Sequence, residues 1–544
     1  MILRYLVVGK FFVCAALLSV CAVVPSSADE IKIDPELNGE SQTGREWLDA
    51  KFVMRGLASK IVSALPADKA KDAKETDAFL KSPKNRLALA RWRFMNAAGA
   101  DAVVERIQKL DVRRTFFQFL SDEKWLDGYL YTGTPTNADK FLDMLLAIAA
   151  KDKKMVNDPT LRKIATATAA EFSRNGWSLD NPARAVKRYR FFAESWRAGK
   201  LNAVFDELDY WDMRIVCGWK GDNDFGNEYS MRWARDNVKL TEEGYASAYD
   251  IHQLDYRLWN KAGDSVHNPD YYAPFRRHFS TKKGEVNMSA MSLEVGAVCG
   301  GISHYGVSGA VSNGVPALTM GEPGHCAFAV RVNGRWRDNN SVSHRRDLHW
   351  RLLDGGGWTF IFLTQDLFSD AKKTPDSFRK AALARFFAET GKNRAAASAL
   401  YSQALAAQPL NYLVWRDACG YAKSQKANRK FWLQTHDKFI AAFAGKYPEV
   451  CATGLRTFVY PQLLAETKTD EEKLKLFDAC FAAFKSKGPA TWDMESFWEA
   501  QCAHLSADGK KKFVESGKRA FKGNPDYEKI FSDWASGNSR NKED

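Results

Sequence analysis

Apolar positions recur at helical spacing through the first third of the chain. Trp47, Phe52, Val53 and Leu57 fall on one face, as do Leu87, Leu89, Ala90 and Phe94, with Pro66, Pro83 and Pro159 between such stretches. A three-to-four-residue recurrence buries one side of a helix, so the segment to about residue 180 reads as all-α, after a polar, extended lead from Asp29 to Gly44. From about residue 185 the texture changes to dense aromatic runs such as Arg188–Phe192, Trp211–Gly218 and Asp255–Asn260. Turn residues at Gly263–Val266 and Pro269–Tyr272 predict a loop-rich passage there. A period of two then sets in. His325, Ala327, Ala329 and Arg331 alternate with Cys326, Phe328, Val330 and Val332, which predicts a strand whose second set faces the core. A partner strand runs from Arg335 to Ser341. The apolar run Trp358–Leu363, behind Gly355–Gly357, predicts a further core strand. Beyond Lys373 the helical period returns and holds to about residue 533. Gly391, Ala397, Tyr401, Ala404 and Pro409 include the small–aromatic–small–proline spacing of the second helix in a tetratricopeptide-type repeat, in a single copy.

Those changes of texture divide the chain into a helical region at 29–184, a mixed region at 185–370, a helical region at 371–536 and a disordered tail at 537–544. A length of 544 residues suits several domains. Residues 1–28 read as a secretory signal: Arg4 and Lys10 precede the apolar run Phe11–Val24, and Ser26-Ser27-Ala28 supplies small residues for cleavage. A secreted or periplasmic location follows, and the formal charge falls from +13 to +11 once Arg4 and Lys10 leave. No other stretch reaches 18 apolar residues, so no transmembrane segment is expected. The basic residues are spread along the chain without a nucleic-acid motif, which argues for attraction to an acidic cell envelope and against nucleic acid. Removing Cys14 and Cys21 leaves seven cysteines, an odd number, so an oxidising compartment leaves at least one unpaired within the chain. Pairs among Cys419, Cys451, Cys480 and Cys502 are open, and their spacing does not decide connectivity.

The chemistry gathers in the mixed region. Cys299 opens a predicted helix in Val298-Cys299-Gly300-Gly301, and a helix N-terminus favours a thiolate through its unpaired N–H groups and dipole. Gly300 and Gly301 let a substrate come close, and the Cys299 N–H is a candidate oxyanion donor. His325 arrives 26 residues later behind the turn Glu322-Pro323-Gly324, on a different and rigid element. A third polar group must then fix the imidazole. His304 lies about 140° around the helix from Cys299 and is read as packing or surface. Cys326 is read as packing, and His344 and His349, among Arg345, Arg346 and Asp347, as an exposed charged helix or loop. No zinc or calcium spacing is present, so neither a metal nor a cofactor is expected.

The run from Val298-Cys299, through Gly314-Val315-Pro316-Ala317, to His325-Cys326-Ala327 and the following ribbon resembles the transglutaminase-like superfamily of cysteine proteins over residues 290–341. That family carries Gly-Val-Cys at a helix start, Gly-Ile-Pro-Ala into a strand, His-Ala-Trp on a strand and Asp on the next. The resemblance implies an α+β fold: a transglutaminase-like (papain-like) core, with Cys on a helix N-terminus and His and Asn on an antiparallel sheet, between N- and C-terminal all-α regions. With Trp336 matched to the family's Trp, its counting puts the orienting residue at Asn340, where most relatives have Asp. Asp338 lies two positions earlier and shares that face of the strand, so both stay candidates, with Asn340 preferred. Asn still accepts a ring N–H, as in Cys-His-Asn proteases. His-Cys-Ala in place of His-Ala-Trp departs from the pattern and reshapes the expected acyl pocket.

The implied activity is that of a secreted thiol peptidase or amidase working through a Cys299 thioester, with a protein-glutamine transferase as a variant and a protein or peptide as substrate. The alternative is a catalytically degenerate core serving as a peptide- or protein-binding scaffold, with partners on the helical regions. Asn at the usual Asp position leans toward that alternative.

Overall fold

A computed structural model describes residues 32–37, 49–108, 110–134, 136–174, 181–221, 224–246, 269–349, 351–390, 393–484 and 488–536. The expected signal segment, the turns at 263–266, the aromatic run at 255–260 and the tail at 537–544 lie outside the described residues.

The architecture is α+β, mostly helical with one small antiparallel sheet. Helices α1 (Pro83–Ala98), α2 (Glu123–Leu130) and α3 (Pro159–Phe172) belong to the N-terminal helices. Local chemistry sets their starts: Ser82, Asp122 and Asp158 each accept a hydrogen bond from a first-turn N–H, and proline opens α1 and α3. Residues Ala165–Phe172 of α3 are buried all around the helix, and the Ala and Thr side chains at 165–170 let α4 (Tyr210–Gly218) pack closely against it.

After the four-residue helix α5 (Glu242–Tyr245) comes α6 (Cys299–Ser312), then strands β1 (Ala317–Glu322), β2 (His325–Val332), β3 (Arg335–Asn339) and β4 (Asp347–Leu348). The strand order is β3-β2-β1-β4. Pro323 and Gly324, the latter at φ +63°, close the β1–β2 hairpin so that Glu322 stands opposite His325.

Three expectations are corrected. Ala327 and Ala329 are as fully buried as Phe328, Val330 and Val332, so both faces of β2 are core. The reason is a helical layer on the His325 side: Arg331 pairs with Asp212 of α4 and lies over Trp211. The expected strand at Trp358–Leu363 is instead the start of helix α7 (Thr359–Ser369), which buries Phe360, Ile361, Leu363, Thr364 and Leu367. A short apolar run fits a buried strand or a buried helix equally, and here the burial continues past the length of a strand. The region around Asp347, expected as an exposed helix or loop, contributes β4 to the sheet edge, and Thr319 Oγ1 lies 3.0 Å from His349 Nδ1.

Helices α8 (Lys373–Glu389) and α9 (Arg394–Ala407) form an antiparallel hairpin with Ala397, Tyr401 and Ala404 buried, as their spacing predicts. Helices α10 (Arg429–Phe443) and α11 (Asp470–Phe484) belong to the C-terminal helices. One continuous hydrophobic core runs from Leu37 to Phe531. Polar ties reinforce it: Arg379 on α8 pairs with Glu123 at 3.0 Å and with Asp127, both on α2. Among the described residues no helix is long and apolar enough to cross a membrane.

Candidate functional site

Cys299 is the first residue of α6, and Val298 before it has extended backbone and no side-chain acceptor. The first-turn N–H groups of Cys299, Gly300 and Gly301 are therefore uncapped by that residue and point beyond the helix end. Cys299 is half-buried, and a side chain placed at Gly300 would meet open space, so the sulfur's flank is accessible.

Ser303 follows one turn later on the same side of α6. Its hydroxyl donates to the Cys326 carbonyl at 2.9 Å, which docks the Cys-bearing end of α6 onto the start of β2. Asn340 meets the same point, its side-chain Nδ2 donating to the Cys326 carbonyl at 3.1 Å and lying 3.4 Å from Ser303 Oγ. The Asn340 main-chain carbonyl accepts from His325 Nε2 at 2.5 Å. That carbonyl has no proton to give, so the bond places the imidazole proton on Nε2 and leaves Nδ1 with a lone pair.

The expected strand to Ser341 stops at Asn339, so Asn340 lies just past β3 and not on the sheet, and it reaches His325 through its backbone and not through the expected side chain. It does so at φ +58°, a left-handed conformation that Asn tolerates better than most residues. Asp338 is drawn elsewhere: it pairs with Arg346 at 3.1 Å, and Arg346 lies over Trp358. Among the described residues Cys299 Sγ makes no hydrogen bond with His325. The structure therefore joins His325, Asn340 and Ser303 in one relay, with Cys299 one turn above it and Asp338 outside it.

Sequence reasoning passed over two participants. Ser303, four residues after Cys299, is signalled only by the helical period. Glu322 looks like an ordinary turn residue, yet its side chain is 0% exposed and gathers donors from the loop that follows Asn340. His304 is buried and stacked on Phe225, which accords with packing.

A second thiol–imidazole pair lies in the C-terminal helices, where Cys480 Sγ is 3.8 Å from His436 Nε2 and 3.0 Å from Tyr460 Oη. Its surroundings are wholly buried, and burial pushes the Cys480 thiol up to about 12, so it has neither access nor a thiolate. Burial raises Cys217 and Cys419 to about 12 as well, and Cys451 and Cys502 also upward. None of the seven described cysteines is in a disulfide. Among the described residues no group of three or more His, Cys, Asp or Glu side chains is arranged to hold a metal ion.

Comparison of the chain with protein-family models, with curated proteins and with solved structures found no match in any of the three.

Proposed function

We propose that the protein is a secreted thiol enzyme of transglutaminase-like type that cleaves carboxamide or peptide bonds of protein substrates. The observation that carries this reading is the relay that fixes the imidazole: His325 Nε2 to the Asn340 carbonyl, and Asn340 Nδ2 to the strand on which Ser303 docks the Cys299 helix. With Nε2 occupied, Nδ1 is the nitrogen that takes the Cys299 proton. The sulfur attacks the carbonyl carbon, the oxyanion forms beside the uncapped N–H groups at the start of α6, and the C–N bond breaks as His325 protonates the departing amine. Water then opens the thioester and regenerates the thiol; a lysine amine in its place gives cross-linking.

Thiol accessibility makes the test clean. Cys299, Cys326 and Cys502 are partly accessible, whereas Cys217, Cys419, Cys451 and Cys480 are buried. Iodoacetamide at about pH 6, where an ordinary thiol is mostly protonated, should label Cys299 ahead of Cys326 and Cys502. His325→Ala should slow that labelling, and Cys299→Ala should abolish turnover of casein or a dansyl-amine acceptor. The degenerate-scaffold reading is favoured by one observation, the absence of a hydrogen bond between Cys299 Sγ and His325. Equal labelling of the three accessible thiols, or none at Cys299, would decide for it.

A further inference from the structure

Glu322 is a buried carboxylate at the hairpin corner, opposite His325 in the β1–β2 register. Leaving such a group without donors is strongly unfavourable, so its surroundings indicate what it is for. Among the described residues its four polar partners all come from the loop that follows Asn340. Ser341 Oγ donates at 2.5 Å, the Val342 and Ser343 N–H groups at 2.9 and 3.1 Å, and Arg346 Nε lies at 3.5 Å. Arg346 carries the clamp onward to Asp338 on β3. Glu322 therefore ties the strand position facing His325 to the three residues that follow the carbonyl holding His325. The Asn340 backbone, in its left-handed conformation, is caught between that clamp and β3.

We infer that Glu322 is a positioning residue for His325: by gripping residues 341–346 it fixes the Asn340 carbonyl against Nε2 and so sets which ring nitrogen is left to face a substrate or thiol. The catalytic consequence rests on the thiol-enzyme reading above; the geometric one does not.

Glu322→Gln keeps the side-chain volume but replaces one acceptor oxygen with an amide that cannot serve both the loop N–H groups and Arg346. Ser341→Ala removes one donor and leaves the others. The readout is the His325 ring in the full-length chain with ¹⁵N-labelled histidine, its signals identified by their loss in His325→Gln. Wild type should give a single Nε2–H tautomer with a slowly exchanging ring proton. Glu322→Gln should give mixed tautomers and faster exchange, and Ser341→Ala a smaller change in the same direction. Cys299 alkylation should fall about 10- to 100-fold in Glu322→Gln, the scale expected when a reacting group is misplaced by about an ångström. A purely structural carboxylate would lower the melting temperature and leave the tautomer alone. Wild-type tautomer and exchange in both variants, or in Ser341→Ala if Glu322→Gln does not fold, would overturn the inference. A changed tautomer in a protein whose Cys299 never reacts would uphold the clamp and remove the thiol enzyme instead.

Discussion

Substitutions at Asn340 separate backbone orientation of His325 from side-chain orientation. Asn340→Gly keeps the carbonyl on His325 and suits φ +58°, but loses the Nδ2 bond to the Cys326 carbonyl. That carbonyl still accepts from Ser303, so the loss is one hydrogen bond, about 1 kcal/mol. Asn340→Ala loses the same bond and keeps a Cβ in the left-handed region without the local side-chain bonding that lets Asn tolerate it, for about 1–2 kcal/mol in all. Asn340→Asp, the residue that the family resemblance favours, turns a donor into a charged acceptor facing a carbonyl and should cost about 2–3 kcal/mol. The expected order of damage is Gly least, with Ala and Asp both greater. The assay is thermal unfolding followed by a sheet-sensitive signal, where 1 kcal/mol moves the midpoint by about 2–4 °C for a cooperative unit of 150–250 residues. Alkylation of Cys299 in parallel should survive in Gly and fall in Asp. An Asp variant as stable and as reactive as wild type would mean that a side-chain carboxylate can orient His325, and the backbone account would be wrong.

Two further outcomes follow from buried charge. Arg214 and Glu171 form an ion pair at 2.6 Å with both side chains 2% exposed, and Arg214 also donates to the Thr132 carbonyl at 2.7 Å. Arg214→Met leaves Glu171 with Arg174 alone, 3.1 Å away, and should cost about 3 kcal/mol, the low end for a broken buried pair; adding Glu171→Gln should recover part of it, measured by guanidinium unfolding, and a double variant no better than the single would refute the buried-charge explanation. Burial raises the Asp212 carboxyl to about 6 despite its pair with Arg331. The folded chain then holds a proton that the unfolded chain releases near pH 4, so the contribution of Asp212 to stability is greatest below about pH 4, falls as pH rises to about 6, and is level above. The stability difference between wild type and Asp212→Asn should change over that window and stay constant from about pH 7 to 8, and a constant difference across the whole range would sink this assignment.

The sequence carried the fold wherever one periodicity ruled. The helical recurrences around Phe94 and Tyr401 and the alternation from His325 to Val332 all reappear as elements. It misled at Trp358–Leu363, because a segment buried on all sides has no polar face to reveal its period. It misled again at Asp347–Leu348, where the neighbouring charges suggest an exposed helix or loop but two residues join the sheet through backbone pairing. In the site, Cys299 at a helix start and His325 on a strand were legible from residue type and turn chemistry. The use of Asn340 was not, since a main-chain carbonyl is common to every residue and only the fold decides where it points. Glu322 was hidden for the related reason that its donors are mostly backbone groups and hydroxyls, which leave no charge pattern.

The ion pair between Glu123 and Arg379 spans 256 positions. At a synthesis rate of about 5–20 residues per second, roughly 13–50 s separate the emergence of Glu123, which already has Arg86 beside it, from that of Arg379. Through that interval Asp127 also lacks Arg379, and the face that the N-terminal helices will turn toward α8 has nothing to cover it. The contact between α2 and α8 is therefore made only after the last third of the chain has begun to emerge.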